Sequence, residues 1–190
     1  PSRCTPVAGS RQQFVCIWRQ QRLRIAGGPV MRVLAVGVWL PGVSDARLWM
    51  TGMRNSAAEA PQAAILPSMT RRRCSLLSRA MADAYGQVTD AADRATMATV
   101  FGSAWGETTV LGELLDQLAT DGELSPLRFA GSVHNSAGGQ VSIACENRAF
   151  TTSIAAGTDT VAMALFEAQA LLRAGTPAVA VVLGDVPPPE

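Results

Sequence analysis

The sequence predicts an α/β protein, with a mostly parallel sheet and helices on its faces. Three observations carry that expectation. Apolar segments of strand length (residues 32–40, 96–101, 150–154 and 176–183) alternate along the chain with helical segments. Apart from Thr151-Thr152-Ser153, these segments are apolar enough to be buried on both faces rather than at every second residue. The 190 residues are 48% hydrophobic and 16% charged, enough for one domain with its own core and too apolar for a disordered chain. Thirty-one alanines let such layers approach closely.

Residues 1–30 stand apart from this pattern. They hold five arginines and no acid, show no sustained period and end in a Gly27-Gly28-Pro29 breaker. They are expected to be disordered or a non-native extension, with Met31 as the natural start. A basic targeting arm is the alternative, and the missing apolar core speaks against a signal peptide. The domain itself is expected to span residues 31–190. Its opening strand, residues 32–40, is closed by Pro41-Gly42. Residues 54–67 read as an Ala/Pro-rich loop. Thr70 is placed to cap a helix reaching about Tyr85, with Cys74, Leu77, Met81 and Ala84 on one face and Gly86 at its C-terminal cap. Residues 96–101 form a short buried strand entering the turn Gly102-Ser103-Ala104-Trp105-Gly106.

An amphipathic helix is expected over residues 107–120. Its stripe of Val110, Leu111, Leu114, Leu115 and Leu118 reads as core, and Asp121-Gly122 ends it. Residues 126–133 suggest a short helix. Asn135-Ser136-Ala137-Gly138-Gly139 reads as a flexible turn before a helical piece at 140–145. Residues 150–154 are a strand, Ala155-Ala156-Gly157-Thr158 a tight corner, and residues 159–174 a second strong helix stopped by Gly175. Residues 176–183 are a buried strand. The Pro-rich end offers it no capping element, so it is expected to lie exposed unless something covers it.

Composition excludes several kinds of chemistry. All sixteen basic residues are arginine, so no step can use a lysine of this chain. His134 is the single histidine, which removes mechanisms needing two. Residues 31–190 carry eleven arginines against fifteen acids, which argues against nucleic acid as the main partner. Cys4, Cys16, Cys74 and Cys145 are far apart, and with one histidine they make no zinc site. They suit free thiols in a reducing cytoplasm. No apolar run reaches the roughly 18–20 residues of a membrane-spanning helix. Neither a metal nor another cofactor is expected.

The segment at residues 150–164 reads strand, small-residue corner, helix. That arrangement presents one side chain over the positive end of a helix, where a thiolate or alkoxide is stabilised. Several motifs then resemble the β-ketoacyl synthases of the thiolase superfamily, over the N-terminal half of that fold. They are the opening strand at 33–42, Phe101-Gly102-Ser103 ending the second strand, and Asn135 followed by Ala137-Gly138-Gly139-Gln140-Val141-Ser142-Ile143. The corner from Ser153 to Thr158 and the strand end Leu183-Gly184-Asp185 complete them. Leu66-Pro67-Ser68 followed by Arg71-Arg72-Arg73 is similar to a shorter, chain-length-factor-like subgroup associated with aryl polyene and xanthomonadin-type pigment synthesis.

The resemblance implies a thiolase-like half-fold in an acyltransferase family, and the departures from it bear on function. It assigns the family's nucleophilic cysteine to Ala156, which has no nucleophile. The family's two catalytic histidines and its lysine belong to a C-terminal half without counterpart here, and His134 lies before the corner. Thiolate attack and enolate stabilisation are therefore not expected of this chain alone. Ala155, Ala156, Gly157 and Thr158 are expected as a vestigial corner or acyl-pocket wall. Thr158 reads as a helix cap and Asp159 as a charge favouring the helix start. Cys145 reads as a buried inert thiol and His134 as a turn residue. Arg71, Arg72 and Arg73 are candidates to contact an acidic acyl carrier protein, beside the simpler reading of a solvated helix start. The expected role is a cytoplasmic, non-catalytic partner in fatty-acid- or polyketide-type chain building, paired with a ketosynthase or with itself. A divergent acyltransferase using Thr158 or a partner's residues, and an inactive orphan half-domain, are the alternatives.

Overall fold

The computed structural model describes residues 14–20, 31–55 and 59–186, with the side chains of residues 14–20 outside that description. In chain order, strands β1 (Phe14–Gln20) and β2 (Met31–Val38) lead to the short helices α1 (Ala46–Thr51) and α2 (Ser68–Arg73). Helices α3 (Leu76–Val88) and α4 (Ala91–Thr96) follow, then β3 (Ala98–Gly102), α5 (Thr108–Asp121), α6 (Pro126–Phe129) and α7 (Ser136–Ala144). Strand β4 (Thr151–Ile154), helix α8 (Thr160–Arg173) and strand β5 (Ala178–Leu183) close the described chain.

The five strands lie in the order β2-β1-β5-β3-β4. Strands β5, β3 and β4 are parallel, with Val100 opposite Val181 on one side and Thr152 on the other. Strand β1 is antiparallel to both of its neighbours, β2 and β5. The α/β expectation holds, with a parallel three-strand half and an antiparallel flank. Phe14–Gln20, inside the segment expected to be disordered or a non-native extension, form a strand within the sheet. The signal was local: Phe14-Val15-Cys16-Ile17-Trp18 is a β-favouring run, set among arginines and breakers. Residues 1–13 and 21–30 of that expectation lie outside the described residues.

Strand β5 is likewise not at an edge. It lies between β1 and β3, and Val179, Ala180, Val181 and Val182 are fully buried. Alternate side chains enter two cores, because successive residues of a strand face opposite ways. Ala180 and Val182 join Phe101, Met81, Leu77, Tyr85 and Val141 beneath α3 and α7. Val179 and Val181 join Ala98, Val100, Ala164, Ala168 and Leu172 beneath α8. Each fully buried valine contributes about 1.5–3 kcal/mol relative to exposure. Helix α8 buries Thr160, Ala164, Ala168 and Leu172, a four-residue spacing that puts small side chains against the sheet.

Four local expectations are corrected. The helix expected from Thr70 to Tyr85 is broken at Cys74, and Ser75 caps the second part by accepting the Ser78 N–H at 2.9 Å. Gly86 lies within α3, whose cap is Thr89. Ala137-Gly138-Gly139 lies in α7 rather than in a turn, with Gly138 packed against Phe101. Of the stripe on α5, Leu114 alone is buried; Leu111, Leu115 and Leu118 are exposed.

Candidate functional site

Strands β3 and β4 end side by side. Gly102 pairs with Ile154, and the Ser103 N–H donates to the Ile154 carbonyl at 3.1 Å. Each chain then turns a corner into a helix. Each corner uses a glycine in the left-handed region, Gly106 at φ 56° and Gly157 at φ 55°, where a Cβ is strained. Each places an acid just before its helix, Glu107 and Asp159, and neither caps that helix with its side chain.

The β4–α8 corner is made of small groups. Ala155, Gly157 and Thr158 are exposed and Ala156 is half-buried. A 3-10 turn at Gly157–Asp159 leads into α8. The hydroxyl that ties the corner is Thr160's, which accepts the Ala156 N–H at 3.0 Å and donates to the Gly157 carbonyl at 2.8 Å. Thr158, expected as the cap, makes no side-chain hydrogen bond among the described residues, and no side chain caps either the 3-10 turn or α8. Asp159 is exposed at the helix start, where its charge favours the helix dipole.

The β3–α5 corner is polar and closed. Ser103 Oγ donates to Asp185 Oδ1 at 2.6 Å and accepts the Gly106 N–H at 2.8 Å. Asp185 also accepts the N–H groups of Ala104 at 3.2 Å and Trp105 at 2.9 Å. His134 Nε2 lies 2.8 Å from the Ser103 carbonyl, which can only accept, so Nε2 carries the proton. Its ring packs against Gly106, where an added Cβ would meet Cδ2 at 2.7 Å. His134 thus stands in the turn expected for it and ties that turn to the end of β3.

Glu107 is 4% exposed. Its Oε1 accepts from Ser75 Oγ at 2.8 Å and Ser78 Oγ at 2.7 Å. Burial pushes its carboxyl up from the usual carboxylate range, while the two serine bonds and His134 pull it back. The residue lines a cleft of about 770 Å³ with Arg73, Cys74, Val110, Leu127 and Gln140. In that cleft burial, and then the charge of Glu107, pushes the Cys74 thiol up against the pull of Arg79. Cys145 is half-buried at the end of α7, where burial pushes its thiol up against Arg94. Cys4 and the side chain of Cys16 lie outside the described residues.

Of the predicted arginines, Arg71 donates to the Gln62 carbonyl at 3.0 Å, Arg72 is exposed and Arg73 reaches the cleft. None of Ala155, Ala156, Gly157 and Thr158 lines that cleft, so the two predicted sites are separate places. Sequence reasoning missed the roles of Glu107, Ser75 and Ser78, and named Asp185 only within the strand-end motif. The available signal was an acid directly after Gly106 in a stretch of small residues. Its serine partners lie 32 and 29 residues away, beyond any spacing rule. Among the described residues no group of three or more His, Cys, Asp or Glu could hold a metal ion, and no helix is long and apolar enough to cross a membrane.

Residues 47–190 match the family model for the β-ketoacyl synthase N-terminal domain. The chain belongs to that family. This β-ketoacyl synthase domain is also similar to a chain in the structure of the ketosynthase ApeO in complex with its chain length factor ApeC from Xenorhabdus doucetiae. The two share 25% identity and a TM-score of 0.65, over 94% of this chain and 69% of that one. No curated protein matches the sequence. The family match begins inside α1 and takes in both corners of the ketosynthase-like domain.

Proposed function

We propose that this β-ketoacyl synthase domain is a non-catalytic, chain-length-factor-like partner of an active ketosynthase. The pathway we infer is fatty-acid- or polyketide-type acyl chain building, as in aryl polyene or xanthomonadin-type pigments, in the cytoplasm. One observation carries the reading. The β4–α8 corner has the strand-turn-helix geometry that mounts a nucleophile, yet it presents the methyl groups of Ala155 and Ala156. A Thr158 nucleophile would need an adjacent base, and Thr158 is exposed and unbonded among the described residues. The likeness to a chain of a ketosynthase–chain length factor complex supports the same reading.

Two surfaces suit a partner. Strand β4 ends the sheet, so its outer edge is open to pairing among the described residues. The outer side of α8 exposes Val161, Met163 and Phe166, the last at 63%. Pairing could be with a ketosynthase or with a second copy. Arg71, Arg72 and Arg73 at the end of α2 would attract an acidic acyl carrier protein. The deciding experiment measures size in solution at tens of micromolar, with and without a full-length ketosynthase of such a pathway. A shift to a one-to-one complex is expected, with no acyl adduct by intact mass after incubation with acyl thioesters. A clean monomer that ignores the ketosynthase overturns the partner role; a stoichiometric adduct on Thr158 or Cys145 overturns the non-catalytic one.

A further inference from the structure

The cleft beside α5 holds an arrangement that the partner reading does not use. Its volume of about 770 Å³ lies in the range of small-molecule sites, roughly 300–1,000 Å³. Leu76, Leu77, Val110 and Leu127 supply apolar wall. The two serines both bond the same oxygen of Glu107, Oε1, and the residue lines the cleft. A carboxylate buried that deeply is costly unless a donor meets it. The cleft's arginines differ from one another. Arg128 is paired with Glu113, whereas Arg73 has no acidic partner among the described residues. One uncompensated cation, one buried acceptor and an apolar wall describe a complementary ligand.

We propose that this cleft binds an amphiphilic anion: a carboxylate head on Arg73, an alkyl chain along Leu76, Leu77, Val110 and Leu127, and a hydroxyl donating to Glu107. The wall excludes a small polar anion, which would leave it wet. The site stands on the cleft alone, so its failure leaves the partner reading untouched, and the converse holds.

Three probes separate the parts: 3-hydroxydecanoate, its methyl ester and decanoate, below their aggregation limits, with calorimetry on the full chain. The hydroxy acid is expected to bind best, with the ester and decanoate each weaker by about tenfold, the weight of one charge-assisted hydrogen bond. Arg73→Ala should erase the preference for acid over ester and keep the preference for hydroxyl. Glu107→Gln keeps an oxygen for the serines but turns an amide donor to the cleft, so it should erase the hydroxyl preference and keep the acid preference. Leu127→Glu, at a wall residue 60% exposed and therefore tolerant of change, should weaken all three probes. A second readout needs no variant: Cys74 lines the cleft and Cys145 does not. The hydroxy acid should slow alkylation of Cys74, mapped by peptide mass, and leave Cys145 unchanged. Three probes of equal affinity, a hydroxyl preference that survives Glu107→Gln, or equal protection of both cysteines would overturn the proposal.

Discussion

The two corners at the ends of β3 and β4 share a backbone plan and differ in everything their side chains do. Both follow parallel, paired strands, both turn on a left-handed glycine, and both carry an acid ahead of the helix. At β4–α8 the acid is exposed, the turning residues are small and one threonine holds the corner to itself. At β3–α5 the acid is buried and bonded to serines of α3, and Ser103, Asp185 and His134 tie the corner to the end of β5 and the turn before α7. The difference teaches that a strand-turn-helix corner is a mount, and that the side chains hung on it decide whether it carries chemistry. The corner that a nucleophile motif points to is built of alanines and a glycine, while its neighbour concentrates the polar side-chain bonds.

Removing the hub of the polar corner should have the largest effect. Asp185→Ala deprives one hydroxyl and two N–H groups of their acceptor, a loss of about 3 kcal/mol at roughly 1 kcal/mol per bond. Urea unfolding measures it. A loss below that of the next variant would break the contrast. Thr160→Val removes the hydroxyl that bonds the Ala156 N–H and the Gly157 carbonyl, expected to cost about 1.5 kcal/mol by the same assay.

A smaller effect follows from Glu107. Burial raises its folded-state pKa above its unfolded value, so the folded form holds the proton more tightly and ionisation opposes folding. Stability from this group is full below the ordinary glutamate range and is lost as pH rises through the raised value. Glu107→Gln should therefore gain on the native chain as pH rises through that window. Equal midpoint differences at both ends of the window would show that the acid is not buried as described.

The smallest effect on stability is expected at Ala156. Ala156→Cys should shift unfolding by less than about 0.5 kcal/mol, as substitutions outside packed cores do. Its thiol should be alkylated faster than Cys74, because a helix start favours the thiolate while burial and Glu107 hold the Cys74 thiol up. Equal rates would erase the idea that the bare corner is still a working mount.

Much of the fold was legible from the residues, for a local reason. Strand β5 and helix α8 declare themselves through apolar runs and four-residue spacing, and Ala155-Ala156-Gly157 announces a corner because small residues and a glycine have few other uses between a strand and a helix. Other features look the same in sequence whichever way they fold. The leucines of α5 have core periodicity, yet Leu115 is 57% exposed, because periodicity marks a face and not what meets it. The break at Cys74 depends on Ser75 turning to cap α3 while also reaching Glu107, a choice made by a residue 32 positions away.

The amino-acid sequence alone therefore determined the class of fold, the small-residue corner at Ala155-Ala156-Gly157, and the chemistry that a chain without lysine and with one histidine excludes. These follow from composition and short-range periodicity. The tertiary structure alone decided that Phe14–Gln20 joins the sheet between β2 and β5, that β5 is central rather than an edge, and that Glu107 meets Ser75 and Ser78 beside a cleft. Strand partners and buried hydrogen bonds join residues from tens to more than a hundred positions apart. Their energies depend on desolvation and packing that no local window contains.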